Sequence, residues 1–97
     1  MAKRRDANHR DVIRAFEAYG WTVADTADLG DGFPDVLIAK GGVMRQVEIK
    51  DGSKPLSARK LTPAEQRYHA RLAAAGCPVL VIDTIEQVTQ WCQERAA

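Results

Sequence analysis

Apolar residues along this chain recur with two different periods, and the switches between them lay out the elements. Val12, Ile13, Phe16 and Tyr19 stand at helical spacing with Gly20 as a stop, so residues 8–19 read as an amphipathic helix. Trp21-Thr22-Val23-Ala24 is short and β-favouring, a first strand. Residues 25–34 mix acids with Gly and Pro and read as a loop. Asp35-Val36-Leu37-Ile38-Ala39 is a compact apolar run suited to a buried strand. Lys40-Gly41-Gly42 turns the chain, and residues 43–50 return as the partner strand of a hairpin.

The second half has sharper punctuation. Residues 51–61 are polar, contain Gly52, Pro55 and Ser57, and read as an exposed, mobile loop. Thr62-Pro63-Ala64-Glu65 is a capping box with Pro at the first helical position. The helix it opens reaches Ala75 and stops at Gly76, with Pro78 just beyond. Val79-Leu80-Val81-Ile82 is an apolar strand, and Thr84-Ile85-Glu86-Gln87 is a second capping box opening a helix to about residue 94. The predicted order is α-β-β-β-α-β-α. A helix between the third and fourth strands lets them pair in parallel, through a right-handed crossover. The expected fold class is α/β, a mixed β-sheet flanked by helices.

Length and composition narrow the setting. The chain has 97 residues, one core's worth, with no repeat or linker to divide it, so residues 1–97 read as a single domain. No apolar run nears the ~20 residues that cross a bilayer. The basic start MAKRRD has no apolar stretch behind it and does not read as a secretory signal. Cys77 and Cys92 are too few for a disulfide framework or a metal cluster and read as buried or half-buried thiols of a cytoplasmic protein.

The net charge of +1 hides an uneven distribution. Residues 1–14 hold five bases (Lys3, Arg4, Arg5, Arg10, Arg14) against Asp6 and Asp11; residues 15–49 hold two against six acids. Residues 50–71 then hold six bases against Asp51 and Glu65. Two basic segments flanking an acidic middle suit a protein that grips a polyanion around a metal-binding centre, although charge runs are equally often solvated faces. Lys54, Arg59 and Lys60 follow the hairpin directly, and they are candidate contacts for a DNA backbone, with Arg67 and Arg71 further along.

The hairpin carries the candidate chemistry. Asp35 opens one strand, and Glu48 and Lys50 stand at i and i+2 on its partner, on one sheet face. Adjacent antiparallel strands bring such an Asp close to such a Glu. Two converging carboxylates make a hard oxygen site for Mg²⁺ or Mn²⁺, which keeps several waters and accepts phosphate oxygens. The lysine beside them orients or deprotonates a water and offsets charge on the phosphate. The bare spacing fits an edge strand with a solvated ion pair at least as well.

More of the chain joins the pattern. Gly32-Phe33-Pro34-Asp35, then Glu48-Ile49-Lys50-Asp51-Gly52, then Leu61-Thr62 and Gln66 ten residues before Gly76, together resemble the PD-(D/E)XK nuclease superfamily. Within it the likeness is to small stand-alone VRR-NUC domains, often phage-encoded and similar to Holliday junction resolvases, over about residues 5–88. The resemblance implies a restriction-endonuclease-like core and a metal-dependent DNA endonuclease, with branched or flapped DNA as a candidate substrate. It assigns Asp35, Glu48 and the Ile49 carbonyl to the metal, Lys50 to the attacking water and an accessory role to Gln66. It also implies a homodimer. The alternative is a catalytically silent DNA-binding module that keeps the fold.

One position departs from the family pattern. Related resolvases carry a glutamate on the first helix, eleven residues before its terminal glycine, and that count from Gly20 lands on His9. His9 shares the face of Val12, Ile13 and Phe16, so it is a packed histidine or a ligand of metal or phosphate; Asp11 and Glu17 fit the spacing less well. Arg67 and His69 are expected on the outer face of their helix, with Tyr68 and Leu72 towards the core. Trp21 and Trp91 read as core or interface residues.

Overall fold

In the computed structural model, which describes residues 6–96, the chain runs α1 (His9–Ala18), β1 (Thr22–Asp25), β2 (Val36–Lys40), β3 (Val43–Ile49), α2 (Pro63–Ala74), β4 (Leu80–Ile82) and α3 (Ile85–Ala96). Lys3, Arg4 and Arg5, part of the first basic segment, lie outside the described residues. Among those residues the strands form one sheet in the order β1-β2-β3-β4, antiparallel except for the parallel pair β3–β4. The expected mixed sheet with flanking helices is the observed architecture, and no helix among the described residues is long and apolar enough to cross a membrane.

The hairpin closes as its sequence dictates. Lys40 pairs with Val43 across Gly41 and Gly42, whose φ values of 56° and 82° are those a two-residue primed turn needs at both central positions. Alternation then sorts the side chains. Val36 and Ile38 of β2 and Val47 and Ile49 of β3 face α1 and α3, where they bury against Val12 and Phe16. Ile82, Val88, Trp21 and Cys92 complete this cluster, and each large apolar side chain in it contributes about 1.5–3 kcal/mol. Trp91 packs on its edge, 5.2 Å ring to ring from Trp21, so both tryptophans serve the core as expected. Burial pushes the Cys92 thiol up, which leaves it inert as a nucleophile. Cys77 is exposed, contrary to the expectation of a covered thiol, because it follows Gly76 at the end of α2.

The helix ends explain themselves chemically. Thr62 and Glu65 form the full reciprocal capping box at the start of α2. At its end Gly76 (φ 82°) lets Cys77 N–H donate to the Leu72 carbonyl at 2.8 Å and Gly76 N–H to Ala73 at 3.0 Å, a Schellman closure. The Thr84–Gln87 box also forms, with Gln87 Oε1 accepting from the backbone of Asp83 and Thr84. Helix α1 is different: Asn8 at its N-cap makes no capping bond and turns its amide elsewhere. Residues 25–34 and 51–61, both expected as loops, each contain a short 3-10 turn, Ala27–Leu29 and Leu56–Arg59.

Candidate active site

The antiparallel register of the hairpin sets the site. Val36 lies opposite Val47, so the next step of the same register puts Asp35 opposite Glu48, on the sheet face away from α1 and α3. Asp35 is buried, and its Oδ2 accepts from Ile49 N–H at 2.8 Å, which fixes the carboxylate on the backbone of the partner strand. Glu48 is only 1% exposed. Burying two carboxylates side by side is costly unless something positive or protic accompanies them. The sequence places the positive groups next to them.

Gln46 and Glu48 of β3, and Lys50 just past its end, meet α2. Gln46 exchanges hydrogen bonds with the Tyr68 hydroxyl, at 3.1 and 3.3 Å. Glu48 Oε1 lies 3.6 Å from His69 Nε2. Lys50 Nζ donates to Glu65 Oε1 at 2.9 Å, with the two side chains only 12% and 4% exposed. Tyr68 also packs against Phe33, 5.4 Å between ring centres, just before Pro34 and Asp35. The sheet-facing stripe of α2 is therefore Glu65, Tyr68 and His69, at i, i+3 and i+4. His69 thus corrects the expectation that it sits on the outer face. A helix wheel built on apolar residues alone cannot see a stripe whose partner surface is polar.

Charge follows geometry. Burial alone would raise the Glu65 carboxyl. Hydrogen bonds from Thr62 N–H and the Lys50 ammonium, together with the lysine's charge, outweigh it, lowering the pKa to about 2. Asp6 goes the other way: burial raises its pKa against the pull of Lys50 and Lys54, and the charges of Asp35 and Asp51 add to the rise. Asp6 therefore lies within electrostatic reach of the hairpin carboxylates and lysines. Asp51 is held below the ordinary carboxylate range by the Ser53 hydroxyl and N–H, at 2.7 and 2.9 Å.

Asn8, just before α1, and the segment after β3 brace this end of the sheet. Asn8 Nδ2 donates to the carbonyls of Lys50 (2.9 Å) and Asp83 (3.0 Å), bridging the points where β3 and β4 end. Gly52 N–H adds a bond to Asp83 O at 3.0 Å, and a Cβ on Gly52 would press against that same carbonyl. Arg59 Nη1 pairs with Asp83 Oδ2 at 3.1 Å.

The remaining candidates fall into place as follows. His9 is buried, and its Nε2 lies 3.1 Å from Asp25 Oδ2. Gln66 is exposed and donates to the Leu61 carbonyl at 3.1 Å; the neighbouring Glu65 is the residue brought to Lys50. Lys54 is half-exposed, 3.9 Å from Asp6, and Lys60, Arg67 and Arg71 are exposed. Sequence reasoning took Glu65 only as a cap. The signal that could have found it is its i, i+3, i+4 spacing to Tyr68 and His69, set against the alternate polar residues 46, 48 and 50.

The donor set suits a hard cation that stays largely hydrated. Among the described residues no group of three or more His, Cys, Asp or Glu gathers into a metal cage. Two buried carboxylates and adjacent backbone oxygen are instead the sparse, all-oxygen kind of donor set that Mg²⁺ and Mn²⁺ accept while keeping waters for a phosphate to replace.

No family model matches this sequence, and no curated protein matches it. A solved structure described as a VRR_NUC domain does, with 30% sequence identity and a TM-score of 0.68, over 87% of this chain and 88% of its own.

Proposed function

Because the chain belongs to the VRR_NUC domain family, we propose that it is a divalent-metal-dependent DNA endonuclease of the PD-(D/E)XK type. The observation that carries the reading is the pair Asp35 and Glu48, buried across one register position, with Lys50 two residues along the same strand face. Asp35, Glu48 and the Ile49 carbonyl would hold Mg²⁺ or Mn²⁺. When bound, the cation supplies Lewis acidity and charge neutralisation at the phosphate. Lys50 orients the attacking water and offsets charge developing on the phosphate oxygens. Exposed Lys54, Lys60 and Arg67 steer the DNA backbone, whereas Arg59 is engaged with Asp83. Gln66 keeps an accessory role only if substrate draws it from Leu61. Flapped or branched DNA suits a small domain with little surface for a long duplex, and a homodimer would present two sites to a two-fold substrate.

The test is plasmid nicking with Mn²⁺ against EDTA, for the wild type, Glu48→Gln and Lys50→Met, beside calorimetric Mn²⁺ titration. The wild type should nick only with metal. Glu48→Gln should lose both metal binding and nicking, and Lys50→Met should lose nicking while binding Mn²⁺ as the wild type does. DNA binding without cleavage under either metal would make the protein the silent module. Sedimentation giving a monomer with and without DNA would remove the dimer.

A further inference from the structure

We propose that Glu65 is a positioning residue for Lys50: the first turn of α2 holds the lysine ammonium in place beside Glu48. The inference deepens the nuclease reading and rests on it. Lysine is a poor choice for a precise site unless it is restrained, because its long stem has many rotamers and its head seeks water. Lys50 is nonetheless nearly buried, and Glu65 Oε1, at 2.9 Å, is the acceptor that keeps it there.

Glu65 is itself immobilised. The oxygen that receives Lys50 also accepts Thr62 N–H at 2.8 Å, and Glu65 N–H donates to Thr62 Oγ1 at 3.1 Å. The lysine must come to the carboxylate, since the carboxylate is pinned to the helix start. That helix start is in turn keyed to the loop carrying Asp35. Gly32, at φ 81°, lies so close to the Ala64 carbonyl that a Cβ there would collide with it.

Capping alone does not call for this residue. A capping box works with Gln at its fourth position as well as with Glu, and the second box of this chain uses Gln87. Stability is a weak reason too, because a buried ion pair seldom outperforms apolar packing. A charged residue where a neutral one would cap equally well points to the lysine as its purpose.

Glu65→Gln separates the two roles, since the amide oxygen still caps the helix while the charge is gone. With saturating Mn²⁺, single-turnover cleavage should fall about 10²-fold, the scale for a slightly misplaced reacting group. The calorimetric Mn²⁺ affinity should stay at the wild-type value, while the melting midpoint falls by several degrees with the loss of the buried pair. Thr62→Ala, which loses the hydroxyl cap but keeps the N–H that holds the Glu65 carboxylate, should lower the midpoint by about 4–8 °C and slow cleavage far less than Glu65→Gln does. In metal-free protein, the ¹⁵Nζ–¹H correlation of Lys50 should be visible in the wild type and lost in Glu65→Gln. If Glu65→Gln does not fold, Glu65→Asp carries the same measurements, its carboxylate drawn back from the ammonium. A wild type that cleaves nothing overturns the nuclease reading and this inference with it. A wild type that cleaves, beside a folded Glu65→Gln equal to it, overturns this inference alone, as does an unchanged Lys50 correlation.

Discussion

The two faces of this sheet are built by opposite rules. Towards α1 and α3, strand residues 36, 38, 47, 49 and 82 are Val or Ile, and their helix partners are Val12, Phe16 and Val88. Towards α2, the same strands present Asp35, Gln46, Glu48 and Lys50, and the helix answers with Glu65, Tyr68 and His69. The first face is held by area removed from water, which has no direction and tolerates exchanges of similar volume. The second is held by hydrogen bonds and paired charges, which are directional. The contrast teaches that the apolar packing and the candidate site fall on different sides of one four-stranded sheet. The strands serve both, because successive side chains point to opposite faces.

That division predicts which substitutions harm what. Phe16→Ala should remove about 3–5 kcal/mol of stability in a urea titration, enough to leave a domain of this size barely folded. Glu48→Gln, equally buried, should do almost nothing to metal-free stability or raise it, while cleavage falls by at least about 10²–10³-fold. A Glu48→Gln protein as unstable as Phe16→Ala would collapse the distinction between the faces.

A smaller effect comes from acid. The Glu65 carboxyl is lowered from 4.5 to about 2 in the folded protein. A depressed folded value means the unfolded chain takes up the proton first. The stabilisation is therefore fully present above about 4.5 and lost as pH falls towards 2, on the order of 1–2 kcal/mol after allowing for screening around the pair. Urea midpoints at pH 5 and pH 3 should diverge less in Glu65→Gln than in the wild type; equal divergence would place the acid sensitivity elsewhere. The smallest effect lies outside both faces. Replacing exposed Lys54 and Lys60 together with Ala should cost DNA affinity alike on every sequence and reduce the salt slope by about 2. Arg59→Ala should behave differently and lower stability, since it strips Asp83 of its partner.

What the sequence made legible follows the same boundary. Every helix and strand was visible, most ends within a residue or two, because glycines 20, 41, 42 and 76 and two capping boxes mark where elements stop and start. Asp35, Glu48 and Lys50 could be placed together because alternation and a two-residue turn fix a hairpin's register. The polar inner stripe of α2 was not visible. Hydrophobic periodicity finds the buried side of a helix only where burial is apolar, so Glu65 read as a cap and His69 as solvated. Asn8 misled in a related way: an N-cap residue type, it bridges two carbonyls 42 and 75 residues away. Long-range use of a side-chain amide leaves no local trace. His9 pairs with Asp25 across 16 residues, a contact that spacing to Gly20 could not reveal.

The hairpin has a closed end and an open end, and the candidate site residues occupy the open one. Gly41 and Gly42 are exposed, and a side chain at either would meet nothing. Five strand residues separate them from Asp35, so Gly41 lies six residues along, about 20 Å at ~3.4 Å per residue. The turn is thus a natural splice point: a short foreign peptide inserted between the two glycines would carry a fluorophore or a surface tether at a distance from the carboxylates. Single molecules could then be anchored by the hairpin tip, with the opposite end of the sheet left open to DNA.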